Sequence, residues 1–223
     1  MIHSPLVGPL TLTPLAGELR DQGFDVSVPD LRAALAAPRP QWRAILDSAI
    51  AAAGDVPTDI VIGHSGAGVL LPLLAEQLNP EVVAYVDAVV PGNTASYEAS
   101  REFIEFIDSL PRTGQLLPPW HTWWGDAVMV RLLPDEELRG RTVADTPSVP
   151  RSFYDDPVPL PSGWSTRRGC CFLQLSPAYD DDRARAESYG WPAAATNGQH
   201  LDVAAKPAAV AHILIDLIDR AQN

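Results

Sequence analysis

The chain has 223 residues, of which 46% are hydrophobic, and a formal net charge of −12 at pH 7. This length suits one α/β domain with an insertion, and the apolar fraction can fill a core without disulfides or metals. The negative charge argues against nucleic acid and anionic membranes as partners, because their phosphates would be repelled, and favours a small-molecule substrate.

Targeting and redox features of the sequence are few. No apolar run approaches about 18 residues, and the N-terminal MIHSPLVGP has no basic segment before an apolar stretch, so we expect no membrane span and a cytoplasmic location. Cys170 and Cys171 are adjacent in an apolar run, which predicts reduced core thiols rather than a mutual bridge. No histidine and cysteine spacing suggests zinc, so neither a metal nor a cofactor is expected. The oligomeric state stays open, a homo-oligomer included.

The first ninety residues alternate predicted helices and strands, which glycine and proline delimit. The predictions are a helix with an N-cap at Thr13 that stops at Gly23, a strand at Phe24–Val28, a helix from Pro40, a strand at Ile60–Gly63, a helix over Gly66–Leu78 distorted at Pro72, and a strand at Val82–Val86.

After residue 93 this alternation lapses for about seventy residues, which is long for a plain connection. It then resumes with a strand at Cys170–Leu175, a helix at Asp180–Ser188, a weak strand at Trp191–Thr196 and a final helix from Pro207. Alternating strands and helices predict a mostly parallel sheet covered on both faces. We therefore expect one α/β domain over residues 1–223, with a helical and irregular cap insertion at about 94–165.

The strand at Ile60–Gly63 runs into GHSGAG, residues 63–68, which sets Ser65 among small residues before a helix. This order favours a nucleophile elbow, a tight strand-to-helix turn that presents a serine and tolerates only small neighbours. The usual elbow pattern is G-x-S-x-G, and its last glycine is replaced here by Ala67, which is also a small residue. The alternative is a glycine-rich turn that only lets strand and helix pack closely.

A nucleophilic serine needs a base and a carboxylate that orients it. His200 lies between the last strand and the last helix, where a loop can return it to the carboxyl edge of the sheet; it could instead be a surface or capping residue. Two acids compete for the orienting role. Asp87 ends a buried strand and so requires a partner, whereas Asp180 begins an acidic first helical turn that the helix dipole would also favour.

Together these residues resemble the α/β-hydrolase superfamily, specifically its small esterase and hydroxynitrile-lyase-like branch. The resemblance covers nearly the whole chain in order, through HSPLVGPLTLTPLAGELRDQGFDVSVPDL, GHSGAG, VDAVVP and GQHLDVAAKPAAVA. It implies that Ser65 is the nucleophile, that His200 is the base and that the Gly66 amide is one donor to the oxyanion.

The sequence departs from that branch at three places. The usual acid position aligns with Tyr179, one residue before Asp180; because some members carry the acid at the position of Asp87, we prefer Asp87 over Asp180. The loop residue that normally gives the other oxyanion amide aligns with Pro5, which has no N–H, so Leu6 or the Ser4 hydroxyl would have to serve. The family's strands before His3 are shortened or missing.

The segment PPWHTWWGD in the insertion places Trp120, Trp123 and Trp124 around His121. Over an active site such rings would form an apolar lid that selects a bulky, largely neutral substrate. Alternatively, the tryptophans only hold the proline-rich insertion onto the domain.

Our main hypothesis is a serine hydrolase that cleaves an ester, thioester or lactone. Loss of one oxyanion donor motivates a second, in which a lyase or cyclase uses acid–base chemistry without an acyl-enzyme. A third hypothesis is a ligand-binding protein with vestigial turnover.

Overall fold

The computed structural model describes residues 1–167 and 169–223, and a four-stranded parallel sheet lies at its centre. The strands of the described residues are β1 (Ile60–Ser65), β2 (Val82–Ala88), β3 (Ser96–Tyr97), β4 (Val158–Pro159), β5 (Cys170–Gln174) and β6 (Ala193–Ala195). The central sheet has the order β1-β2-β5-β6 with every pair parallel, and β3 pairs with β4 in a separate antiparallel ladder.

Helices cover both faces of the central sheet. They are α1 (Thr13–Asp21), α2 (Gln41–Ala53), α3 (Leu71–Leu78), α4 (Arg101–Ser109), α5 (Asp126–Leu132), α6 (Glu136–Asp145), α7 (Asp180–Ser188), α8 (Asp202–Ala205) and α9 (Pro207–Gln222). Within the described residues no helix combines the length and the apolar character needed to cross a membrane.

The sheet divides the core into two layers, because alternate residues of a strand face opposite sides. On one side Tyr85 and Phe172 pack with α2 and α3, and on the other Ala84 and Leu173 pack with α1 and α9. Strand β2 is buried along its whole length. The predicted α/β class, a mostly parallel sheet flanked by helices, is confirmed.

The predicted strand at Phe24–Val28 is wrong. The segment forms no ladder in the described structure, although its apolar side chains pack against the α1 and α9 layer. Its neighbour at this edge of the sheet is the N-terminal segment, which contributes one parallel bridge, Ile2 with Gly63, and one hydrogen bond from the Met1 amino group to Ser27 O. The alternating polarity therefore predicted correctly which side chains are covered. A strand also needs a neighbouring strand with which its backbone forms a continuous ladder of hydrogen bonds.

Two helix starts also differ from the prediction. Gly66–Leu70 is a 3-10 turn, and α3 begins only at Leu71, so Pro72 occupies a first-turn position instead of distorting the helix. Thr13 is the first residue of α1 and not its N-cap; its hydroxyl donates to Pro9 O.

Helices α4, α5 and α6 lie in the chain between β2 and β5, where the cap insertion was expected. The short β3–β4 ladder joins the two ends of this segment. The buried carboxylate of Asp145 fastens α6 to the N-terminal region, because it accepts hydrogen bonds from the Leu10 N–H at 2.9 Å and from Arg32 at 2.6 Å.

The two cysteines, Cys170 and Cys171, begin β5 and are both buried and free. Burial raises the pKa of each thiol to about 12. This placement agrees with the prediction of reduced core residues.

Candidate active site

Ser65 ends β1 in a conformation that strand residues rarely adopt, with φ 59° and ψ −130°. The 3-10 turn that follows lies so close to β2 that a β-carbon on Gly68 would stand 2.1 Å from Val89 O. A β-carbon on Gly63 would likewise lie 2.8 Å from the Leu71 side chain. Small residues are thus required on both sides of Ser65, as the elbow interpretation of this stretch supposes.

A β-bulge on the neighbouring strand directs Asp87 to the same edge of the sheet. His64 pairs with Val86 and Ser65 pairs with Ala88, so Asp87 is the extra residue, with φ 42°. A bulge re-aims the side chain it carries. Here the carboxylate points across the carboxyl end of β5, toward the loop that holds His200.

Asp87 is fully buried and accepts four hydrogen bonds. The N–H groups of Leu175 and Ser176 donate to Oδ1 at 2.7 and 2.9 Å, and the Ser176 hydroxyl donates to Oδ2 at 2.7 Å. His200 Nδ1 lies 2.7 Å from Oδ2. Burial alone would raise the pKa of Asp87, but the hydrogen bonds from His200 and Ser176 outweigh it and lower this pKa below its ordinary value.

The Asp87 contact fixes the tautomer of His200. An ionised carboxylate can only accept, so Nδ1 carries the proton and Nε2 keeps a free lone pair, as a base requires. The buried carboxylate of Asp202 shapes the loop before α8, because it accepts from the Gln199 N–H and pairs with Lys206. A β-carbon on Gly198 would lie 2.3 Å from that carboxylate.

The imidazole of His200 lies between two other rings. His64 stacks on one side with a centroid distance of 4.5 Å, and Tyr179 stacks on the other at 5.2 Å and an interplanar angle of 13°. His64 Nε2 donates to His200 O at 3.0 Å, and its buried Nδ1 has no partner among the described residues. Burial lowers the pKa of His64 to about 3, so this imidazole stays neutral. Its stacking and its hydrogen bond restrict the position of His200.

Tyr179 is the residue of the site that sequence reasoning missed. Its hydroxyl lies 3.1 Å from Ser65 Oγ and is the hydrogen-bond partner of that oxygen within the described chain; His200 Nε2 is not in hydrogen-bonding geometry with it. The available signal was the alignment of Tyr179 with the usual acid position, where it was noted only as a missing carboxylate.

Asp180, the alternative acid, does not reach His200. It begins α7 as an exposed residue, and its carboxylate accepts a hydrogen bond from the Gln174 side chain. Tyr179, the last residue of the 3-10 turn Pro177–Tyr179 and the one directly before Asp180, makes the contacts with Ser65 and His200 instead. Of the two candidates, the structure brings only Asp87 to the histidine.

The loop at Ser4–Leu6 lies against Gly66. A β-carbon on Gly66 would stand 3.3 Å from Ser4 Oγ and 3.7 Å from Pro5 Cδ. The Gly66 N–H opens a helical turn and therefore has no intrahelical acceptor. The Leu6 N–H, considered as an oxyanion donor, instead donates to Ser4 Oγ at 3.2 Å, whereas the Ser4 hydroxyl keeps its own proton to donate.

His3 supports this loop from behind. Its Nε2 accepts from the Leu31 N–H at 3.1 Å, so its protonated Nδ1 donates to Ser4 O at 2.9 Å. Burial lowers the pKa of His3, which keeps this neutral tautomer in place.

The three tryptophans of the cap segment have different surroundings. Trp120 lies 6.1 Å from His200 between ring centroids and packs on the apolar clusters that contain Leu6 and Leu201. Trp123 is buried and packs against Phe106, and Trp124 is 48% exposed and stacks on the same ring. Of the three rings only Trp120 lies near His200, and the other two pack within the segment between β2 and β5.

The site is largely covered and has no metal-binding cluster. Ser65 is 8% exposed and the His200 side chain is 14% exposed. Over residues 1–167 and 169–223, no three His, Cys, Asp or Glu side chains form a group that could hold a metal ion.

Solved structures, rather than sequences, provide the comparison with known proteins. No protein family and no curated protein matches this chain by sequence. An extracellular α/β-hydrolase from a Paenibacillus species superposes with a TM-score of 0.75 at 16% identity, over 97% of this chain and 96% of that one.

Two further solved structures are similar over nearly their whole length. Polyneuridine aldehyde esterase matches with a TM-score of 0.70 at 16% identity, over 97% of each chain. Tomato methylketone synthase I matches with a TM-score of 0.73 at 13% identity, over 99% of this chain and 96% of that one. At such identities the likeness is one of fold.

Proposed function

The chain has the α/β-hydrolase fold, and from the groups at the carboxyl edge of its sheet we propose that it is a serine hydrolase. The observation that carries the proposal is the hydrogen bond between His200 Nδ1 and Asp87, a buried carboxylate that accepts four hydrogen bonds from protein groups. The nearby Ser65 has a positive φ. The substrate class is a carboxylic ester, thioester or lactone of a bulky apolar small molecule. An esterase among the similar structures supports this class.

In the proposed reaction Ser65 Oγ attacks the substrate carbonyl carbon while its proton passes to His200 Nε2. The buried Asp87 stabilises the resulting imidazolium without taking its proton. The tetrahedral intermediate then collapses, and its leaving group takes the proton from His200. Water, activated by the same histidine, hydrolyses the acyl-enzyme and frees Ser65.

The oxyanion of the tetrahedral intermediate needs hydrogen-bond donors near Ser65. The Gly66 N–H supplies one, and we assign the second to the Ser4 hydroxyl, because Pro5 has no N–H and Leu6 gives its N–H to Ser4. His3 holds the carbonyl of Ser4 and so fixes the loop that bears this hydroxyl.

The proposed preference for apolar substrates rests on Trp120. Its ring lies 6.1 Å from that of His200 between centroids, so we expect the acyl or leaving group to contact an indole rather than water.

The test is the intact mass of the protein after treatment with a fluorophosphonate, a probe that phosphonylates activated serines. We expect one adduct on the wild type and none on Ser65→Ala or His200→Ala. Ser188→Ala and His212→Ala are matched controls and should label like the wild type. A folded wild type that forms no adduct would contradict the hydrolase proposal.

A second candidate, acid–base catalysis without an acyl-enzyme, follows from the partner of Ser65. The Ser65 hydroxyl is hydrogen-bonded to Tyr179 instead of His200, and a methylketone synthase is among the similar structures. This alternative predicts that Ser65→Ala retains most of the turnover, whereas His200→Ala loses it.

A further inference from the structure

The phenol of Tyr179 contacts a reacting atom but has no part in the reaction described above. Its hydroxyl lies 3.1 Å from Ser65 Oγ, and its ring is stacked on His200 nearly in parallel. Tyr179 is the last residue of the 3-10 turn Pro177–Tyr179 and directly precedes α7. The turn places the residue, and the stacking on His200 limits the rotation of its ring.

The direction of this hydrogen bond follows from where the protons must be. Burial raises the pKa of Tyr179 well above its ordinary value, so the phenol keeps its proton. Ser65 has a single hydroxyl proton, which the reaction transfers to His200. In the reactive arrangement the Tyr179 O–H therefore donates and Ser65 Oγ accepts.

We propose that Tyr179 is a catalytic residue that donates a hydrogen bond to Ser65 Oγ as this oxygen leaves the acyl-enzyme, an inference that rests on the proposed hydrolase function. In that step water adds to the acyl carbon and gives a proton to His200. The bond from carbon to Oγ then breaks with its electron pair on Oγ, which takes the proton from His200. A carboxylic acid is released, and Tyr179 keeps its own proton throughout.

The donated bond accelerates this step more than it accelerates acylation. In the free enzyme the bond already exists, so it stabilises the ground state and the transition state of acylation alike. In the acyl-enzyme Oγ is an ester oxygen and a poor acceptor, and the bond strengthens only as negative charge develops on it. The bond therefore lowers the barrier of deacylation and has little effect on the barrier of acylation.

The experiment compares the wild type with Tyr179→Phe, using p-nitrophenyl butyrate as the substrate. Rapid mixing records the burst of p-nitrophenol, and the intact mass of quenched samples records the butyryl-enzyme. We expect Tyr179→Phe to accumulate butyryl-enzyme and to turn over about tenfold to a hundredfold more slowly, as for the loss of a bond to a charged acceptor. Its rate of labelling by the fluorophosphonate should stay near that of the wild type.

Tyr189→Phe is the matched control, because it also removes a partly buried phenol hydroxyl, one that donates to Pro91 O at 3.1 Å and not to Ser65 Oγ. It should behave like the wild type. Turnover of Tyr179→Phe that is unchanged, increased, or reduced equally in acylation and deacylation would overturn the inference. An increase would mean that the phenol restrains Ser65.

Failure of the proposed function has a different signature. A wild type that forms neither a fluorophosphonate adduct nor a butyryl-enzyme at Ser65 overturns the hydrolase proposal, and this inference with it. If Tyr179→Phe does not fold by circular dichroism, 3-fluorotyrosine at position 179 keeps the ring and provides a stronger donor. Faster decay of the butyryl-enzyme then supports the role of Tyr179, and unchanged decay overturns it.

Discussion

At the scale of single residues, the carboxylate of Asp87 is satisfied by donors from two elements at once. The amides and hydroxyl at the end of β5 fill three of its acceptor positions, and His200 fills the fourth. A buried charge with this many donors stays ionised, which is why its pKa lies below the ordinary value despite burial.

The Asp87→Asn variant tests this role. The new side chain can present an N–H to His200 and so favours the wrong imidazole tautomer, and we expect turnover of an activated ester to fall by about 10³- to 10⁴-fold. Asp180→Asn is the matched control and should keep near wild-type turnover, because its carboxylate contacts Gln174 and not His200. Steady-state kinetics on folded protein decides between them; a large loss in Asp180→Asn would reverse the assignment.

The sequence predicted which residues lie at the carboxyl edge of the sheet better than it predicted their contacts. Ser65 and Asp87 lie at the ends of β1 and β2, His200 follows β6, and parallel strands end at one edge of the sheet. The Tyr179 contact could not be foreseen, since it depends on the three-residue turn after β5, which sets whether position 179 or 180 faces inward. Periodicity does not encode such a rotation.

At the scale of elements, the 3-10 turn after Ser65 approaches the end of β2 so closely that no side chain fits at Gly68. A β-carbon there would meet the backbone carbonyl of Val89, which cannot swing aside as a side chain would. We expect Gly68→Ala to lower the free energy of unfolding by about 3 kcal/mol.

Gly17→Ala is the control for that change. Gly17 lies within α1 with nothing near the position of a β-carbon, so alanine should stabilise the protein by about 0.5–1 kcal/mol. Urea unfolding followed by circular dichroism measures both variants. Equal stabilities for the two would show that the turn can move away from β2.

The same scale shows where sequence patterns stop being informative about elements. β1, β2 and β5 are buried runs bounded by glycine or proline, and each was predicted close to its observed bounds. Phe24–Val28 has an equally clear alternating pattern but forms no ladder, because pairing depends on a partner that lies elsewhere in the chain. Alternation reports which side chains are covered, not which backbones are paired.

At the scale of the whole molecule, two buried histidines make stability depend on pH. Burial lowers the pKa of His64 to about 3 and also lowers that of His3. Each contributes stability that is fully present above the ordinary histidine pKa of 6.5 and is lost as the pH falls toward the folded value. Asp182 acts in the opposite sense, because burial raises its pKa to about 6 and its protonation between pH 6 and 3.8 favours the folded state.

We therefore expect the free energy of unfolding to fall from pH 6.5 to pH 4, by about 1.4 kcal/mol per pH unit for each proton that unfolding takes up. His64→Gln, which can still donate to His200 O, should flatten this slope. Asp182→Asn should steepen it, because the opposing contribution is removed. Urea titrations at several pH values measure the slopes, and a wild-type slope in His64→Gln would contradict the account.

The burial of both cysteines gives the chain a practical property. The sequence contains only Cys170 and Cys171, and their thiols are inside the sheet with pKa values raised to about 12, so thiol-directed dyes have no reactive target at neutral pH. A single cysteine introduced between β2 and β5, for example at Val130 in α5, which is 50% exposed, would carry one fluorophore at a known place. The binding of a substrate or inhibitor near Trp120 could then be followed by fluorescence without first removing any native thiol.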